Sequence, residues 1–356
     1  MLRSLHIIGS RQLGGAESFF LRLVTALNAT DHRALAAVRP RSPLLQALGS
    51  GIEIHPVAMC NSWDLWSVAK IRRLVRATGV DVVQSYMGRA SRLTRLPKGS
   101  GVVHIARLGG FYKIDGYYRH ADAWVGNTRA LCDYLVREGL PAARVYPIGN
   151  FVDTPRLVLP EEIDRLRQEI RLPAGALVLF SLGRFIDIKG FDDLLRAFAR
   201  LPAEVQGRPL QLVLGGDGPL RGHLLKLAAE LDLGARFHWA GWLSDPAPWF
   251  RLADICVVPS THETLGNVIL EAWAYRLPVI STRTPGALEL IEDGANGLLC
   301  AIGDHERLAA LCLSLADDSA QRDQLAAAGA AELAQHHSRE AVLAAYLQMY
   351  AQLTRT

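Results

Sequence analysis

Two carboxylates, Glu263 and Glu271, stand eight positions apart in the run Pro259-Ser-Thr-His-Glu-Thr-Leu-Gly-Asn-Val-Ile-Leu-Glu-Ala-Trp-Ala-Tyr-Arg-Leu-Pro278. Apolar stretches flank it, Asp254-Ile-Cys-Val-Val-Pro259 before and Pro278-Val-Ile-Ser281 after. The pattern reads as strand, polar loop, helix and strand, one turn of a parallel sheet. Ligands of such sheets sit at the carboxyl ends of the strands. A helix starting at Gly266, Asn267 and Val268 offers free backbone N–H groups there, and helix starts attract phosphate. One carboxylate before the helix and one inside it supply acceptors for hydroxyl groups beside that phosphate. The set suits a phosphate with a sugar on each side, which describes a nucleotide-sugar.

Arg184 and Lys189 lie five apart in Ser181-Leu-Gly-Arg-Phe-Ile-Asp-Ile-Lys-Gly190, which reads as a strand end and the loop after it. A guanidinium fork and an ammonium point charge can converge on one diphosphate. Departure of a nucleoside diphosphate develops negative charge, which fixed cations stabilise. By residue type alone, a solvated basic loop is an equal reading. Gly14-Gly15 follows the first predicted strand and lets backbone approach a ligand, although an ordinary strand–helix turn needs the same residues. The spacing from Gly9 is not the G-x-G-x-x-G of a dinucleotide site. Gly215-Gly-Asp-Gly-Pro219 reads either as a phosphate loop or as a structural turn, and the turn is favoured.

The glutamate run with its Pro-Ser and flanking strands, together with Gly183-Arg184 and Lys189-Gly190, resembles the retaining glycosyltransferases of the Glu-x7-Glu type. These are the GT4-like glycosyl transferases group 1, which include bacterial enzymes of glycolipid and lipopolysaccharide synthesis. The resemblance implies an α/β chain of GT-B architecture, with two Rossmann-like parallel-sheet domains facing across a cleft. It implies a metal-independent hexosyltransferase moving a sugar from a nucleotide-sugar to a glycan or glycolipid, with no cofactor. Arg184, Lys189 and Glu263 are then catalytic. Gly15, Thr264, Leu265, Gly266, Asn267, Val268 and Glu271 join them in donor binding, Glu263 taking the transferred sugar and Glu271 the ribose.

Two departures stand out. Many relatives carry a histidine where this chain has Arg107, in Ala-Arg-Leu-Gly-Gly110, so Arg107 is expected on the acceptor side. Arg276 stands where members of that family often have glycine before Leu-Pro, and is expected to affect only a surface turn. A GT-B epimerase and a non-catalytic nucleotide-sugar-binding protein are the alternatives. The first needs a base near the reacting carbon, and the second would tolerate loss of Lys189.

Alternating strand and helix patterns fill both halves of the 356 residues, enough for two domains. Pro155 and Pro160 interrupt regular structure between them. The expected domains are 1–155, with a terminal helix in 339–356 returning to it, and 156–338. Residues 1–150 hold 20 Lys and Arg against 9 Asp and Glu, whereas the remainder holds 19 against 26. A basic half suits an anionic membrane, a nucleic acid or an anionic substrate. Trp63-Asp-Leu-Trp66 ahead of Lys70, Arg72, Arg73 and Arg76 reads equally as a membrane-facing helix or as a packing helix with Leu65 in the core. No nucleic-acid motif accompanies the charge. No apolar run approaches the ~18 residues of a membrane span, and no signal peptide is evident. The expectation is a cytoplasmic protein with peripheral contact at the inner face of the membrane. The five cysteines read as buried apolar residues. No H-E-x-x-H or Asp-x-Asp pattern marks a metal site.

Overall fold

The computed structural model describes residues 2–11, 14–49 and 51–355. The chain divides into two compact units, 1–153 with 337–356, and 154–336. In the first unit, strands β1 (Arg3–Ile8), β2 (Arg33–Val38), β3 (Ile54–Pro56), β4 (Val82–Tyr86), β5 (Val103–Leu108), β6 (Ala123–Gly126) and β7 (Val145–Pro147) form a parallel sheet. Its order is 3-2-1-4-5-6-7, and Ile7 of β1 pairs with Ala37 on one side and Ser85 on the other. The helices are α1 (Gly15–Asn28), α2 (Pro43–Ala47), α3 (Leu65–Thr78), α4 (Met87–Leu93) and α5 (Arg129–Arg137).

Side chains alternate across the strands, and both faces of the sheet are buried. Leu5 and Ile7 of β1 enter one layer with Ile71 and Val75 of α3. Ile8 enters the other with Phe19 and Phe20 of α1. Burial on two faces is why such strands read as continuous apolar runs.

The second unit repeats the scheme with β8 (Leu177–Leu182), β9 (Glu204–Val205), β10 (Arg208–Gly215), β11 (Phe237–Gly241), β12 (Ile255–Val258), β13 (Val279–Thr282) and β14 (Leu298–Cys300). The parallel order is 11-10-8-12-13-14, with β9 pairing antiparallel to β10. Its helices are α6 (Pro160–Glu169), α7 (Phe191–Ala199), α8 (Arg221–Glu230), α9 (Ala247–Leu252), α10 (Asn267–Ala274), α11 (Pro285–Leu290), α12 (His305–Asp317) and α13 (Ser319–His336). The final helix α14 (Arg339–Thr354) belongs to the first unit, where Tyr346 and Tyr350 join the core of α1. Helix α6 starts at Pro160, one of the two prolines expected to interrupt regular structure. Four cysteines are buried as expected, but Cys60, in the segment between β3 and α3, is exposed. Among the described residues, no helix is long and apolar enough to cross a membrane.

Candidate active site

The second sheet grows outward from β8 to β10 and β11, then resumes on the other side at β12. The loops leaving β8 and β12 therefore flank the point where strand order reverses, the place such sheets bind ligands. These are the loops of Lys189 and Glu263.

Contact between the two loops depends on one residue without a side chain. Gly190 has φ +64 and begins α7, and a Cβ there would lie 2.0 Å from the Pro259 carbonyl oxygen. With that space free, the Thr261 N–H donates to the Ile188 carbonyl at 2.9 Å. Lys189 Nζ then donates to Glu263 Oε1, and Ser260 Oγ donates to the same oxygen at 3.0 Å. The two ion-paired side chains are 21% and 16% exposed, so water screens them only in part. On the far side, the Gly286 N–H donates to the Glu263 carbonyl at 2.9 Å, and Thr282 Oγ1 donates to the Ser260 carbonyl. The glutamate loop is thus clamped between its two neighbours in the sheet.

The loop ends with buried Leu265 and with Gly266, which caps α10 at φ +84. Thr264, Asn267 and Val268 are half-buried around that helix start. The Ile269 N–H is taken by the Gly266 carbonyl at 3.0 Å, but the N–H groups of Gly266 and Val268 make no backbone bond among the described residues. Glu271 is half-buried one turn on. It lies near enough to Cys256 of β12 that its charge, after burial, helps push that thiol's pKa up. Arg184 projects to solvent from the lysine's loop, with no ion pair among the described residues.

The Gly215–Pro219 turn props this loop from behind. The Gly183 N–H donates to the Gly215 carbonyl at 3.1 Å, and the Phe185 N–H to the Asp217 carbonyl at 3.0 Å. The Asp217 carboxylate accepts from Gly218 N–H at 2.7 Å, inside its own turn. The sequence reading missed the part played by Ser260 and Gly190, although both adjoin residues it selected.

Two selected residues lie in the first unit. Gly15 opens α1 and is exposed, after the loop that leaves β1. Arg107, expected to face an acceptor, is instead 3% exposed. Its Nε donates to Tyr346 Oη at 3.0 Å, its Nη2 to Asn150 Oδ1 at 2.5 Å, and its guanidinium lies 4.0 Å from the centroid of the Phe19 ring. It is an interior strut joining α14, the 149–153 segment and α1. His104 is also buried, with Nε2 2.8 Å from Ser85 Oγ, and burial lowers its pKa to about 3. On α3, Ile71 and Val75 enter the core, but Leu65 is 77% exposed beside Trp63 (77%) and Trp66 (88%), so the packing reading fails for Leu65. Among the described residues, no group of three or more His, Cys, Asp or Glu side chains is placed to hold a metal ion.

The model for "Glycosyl transferases group 1" matches residues 162–332, and that for "Glycosyltransferase Family 4" matches 13–156. The lipopolysaccharide core biosynthesis glycosyltransferase LpsE of Rhizobium meliloti is 36% identical over 95% of this chain and 96% of its own length. The chain belongs to the group 1 glycosyl transferases. LpsD, a lipopolysaccharide core biosynthesis glycosyltransferase of the same organism, is 32% identical over 95% of both chains. A crystal structure of Anabaena Alr3699/HepE in complex with UDP-glucose aligns over the whole of both chains with a TM-score of 0.83 at 21% identity. This group 1 glycosyltransferase therefore has the GT-B fold, and its clamped Lys189–Glu263 pair lies within the matched 162–332 region.

Proposed function

We propose that the second unit binds a UDP-hexose and that the enzyme transfers the hexose, with retention at the anomeric carbon, to a glycan or glycolipid of lipopolysaccharide core or cell-surface polysaccharide synthesis. The observation that carries this reading is the Lys189–Glu263 pair, held by Ser260 at the reversal point beside the start of α10. The UDP-glucose held by the Anabaena neighbour supports the donor class, and the names of the two Rhizobium relatives support the pathway.

In this reading, Lys189 and Arg184 stabilise the departing diphosphate, while backbone groups of Thr264, Leu265, Gly266, Asn267 and Val268 position it. Glu263 receives hydroxyls of the transferred sugar, Glu271 those of the ribose, and Gly15 gives the donor a close backbone approach. The bond from the anomeric carbon to phosphate oxygen breaks and one to the acceptor hydroxyl oxygen forms. The acceptor's proton passes to the leaving phosphate. Cationic side chains carry the charge stabilisation, so EDTA should leave the rate unchanged.

Incubation with UDP-glucose and a core oligosaccharide should give a glycosylated product, and Lys189→Ala should lower kcat by about 10²–10³. An epimer formed from donor alone would favour an epimerase. No transfer, with donor binding indifferent to Lys189→Ala, would leave a binding protein.

Peripheral contact with an anionic membrane at the inner face of the cytoplasmic membrane belongs to the same proposal. Trp63, Leu65 and Trp66 are exposed beside the solvent-facing Lys70, Arg73 and Arg76 of α3, and Arg92 lies 3.7 Å from the centroid of the Trp63 ring. Flotation with anionic against neutral vesicles tests it, and equal recovery would dismiss it.

A further inference from the structure

In the first sheet the strand order reverses between β1 and β4. A cavity of about 330 Å³ opens there, lined by Gly9, Ser10, Arg11, Met87, Gly88 and Arg89. A third arginine, Arg39, follows β2, the strand next to β1. Arg39 is only 4% exposed, yet its guanidinium has no hydrogen-bond or ion-pair partner among the described residues. None of its nitrogens is among the buried polar atoms sealed without a partner, so they keep contact with solvent.

The charges around it do not balance. Burial, followed by the like charges of Arg11 and Arg89, lowers the Arg39 pKa. The nearby acid is Asp64, whose carboxylate is already committed to Ser67 Oγ at 2.7 Å and to the Ser67 and Cys60 N–H groups at 3.0 Å. Arg89 spends one nitrogen on the Gly9 and Met59 carbonyls, at 3.3 and 3.4 Å. Like charges gathered at one place repel, and a counter-charge offsets that cost. Three guanidinium groups drawn together without a free carboxylate call for an external oxyanion, and their planar forks match phosphate or carboxylate.

We propose that the acceptor saccharide is anionic, and that Arg11 and Arg89 at this cavity, with the neighbouring charge of Arg39, hold its phosphate or carboxylate substituent. The proposal rests on the glycosyltransferase reading, since it specifies the substrate that meets the donor. It makes these arginines specificity-determining residues that act on acceptor KM with little effect on donor binding.

The test uses the full chain. Glucose 6-phosphate and glucuronate should raise the melting temperature, and neutral glucose should not. Arg11→Gln and Arg89→Gln, at positions with solvent contact, should each weaken those ligands about tenfold or more and leave UDP binding unchanged. Arg39→Gln should do the same if it folds. Lys189→Ala should show the reverse, losing UDP binding while keeping the sugar acids, which separates failure here from failure of the donor reading. Stabilisation by inorganic phosphate alone at equal affinity would make this a free-anion site and overturn the proposal. Loss of anionic-vesicle flotation in the arginine variants without loss of sugar-acid binding would assign the arginines to lipid headgroups instead. A raised donor KM in Arg89→Gln would assign them to the diphosphate.

Discussion

At the scale of single residues, Glu263 does two things that can be separated. Its carboxylate holds the Lys189 ammonium in place, and it also occupies the cation that a diphosphate would use. A partly exposed pair of this kind is worth about 1 kcal/mol, or roughly fivefold in affinity. Glu263→Gln should therefore tighten UDP binding about fivefold while kcat falls at least about tenfold, because sugar orientation is lost. Calorimetry with UDP and steady-state kinetics give the two numbers. Weaker UDP binding with an unchanged kcat would reduce Glu263 to a tether for the lysine. Both residues were legible in the sequence because each sits in a short run whose neighbours fix its place on the sheet. Arg107 was not. Its partners Asn150 and Tyr346 lie 43 and 239 positions away, and nothing near it in sequence announces them.

Among the elements, α10 has a fault that the sequence marks and the geometry explains. The Leu277 N–H donates to the Ala272 carbonyl at 2.9 Å and the Arg276 N–H to the Trp273 carbonyl at 3.0 Å, a helix end of the Schellman type. Such an end needs a left-handed residue, the conformation glycine adopts most readily, and Arg276 is held there at φ +56. Arg276→Gly should raise stability by about 1 kcal/mol, read as a higher urea midpoint with an unchanged slope. An unchanged or lower midpoint would mean that the arginine's exposed side chain compensates. The body of α10 is fixed on its other side by α13, where a Cβ on Gly329 would come within 2.3 Å of buried Trp273. Strands and most helices could be read because burial writes them as apolar runs and amphipathic periods. Helix α6 escaped because Leu166 is its sole residue in the fully buried class and because Pro160, which looks like a breaker, serves as its first residue. Helix α4 carries no legible period, because Gly88, Arg89, Ser91 and Arg92 interrupt its apolar positions.

On the scale of the molecule, acid should find the first unit before the second. Ser4 Oγ lies 2.9 Å from His6 Nε2 and 2.7 Å from His32 Nε2, and His6 Nδ1 lies 2.8 Å from Tyr86 Oη. Tyr350 of α14 donates to Gln84 Oε1 at 2.6 Å, and Gln84 Nε2 to Tyr86 Oη at 2.7 Å, so a buried polar chain ties the last helix to the first strands. Burial lowers the pKa of His6 to about 3, of His32 to about 4, and of His104 on β5 to about 3. A histidine whose folded pKa lies below its unfolded value of 6.5 costs nothing above pH 6.5. Below that, the unfolded chain binds protons the folded one refuses, so stability falls as pH drops toward 3–4. Each group should remove about 2 kcal/mol between pH 7 and pH 5. The second unit's His238 is also lowered by burial, with the Ile170 backbone opposing. Lowered carboxylates such as Glu162 lose their contribution only below their own ordinary range, near pH 4.5. Hydrogen exchange at pH 5 should accelerate in β1, β4 and β5 before β8, β10 and β12, and the urea midpoint should fall from pH 7 to 5. His104→Gln keeps a partner for Ser85 and removes one titrating group, so it should flatten that fall by about one histidine's share. A slope identical to the wild type, or exchange rising first in the second unit, would show that these histidines take up protons without unfolding the sheet around them.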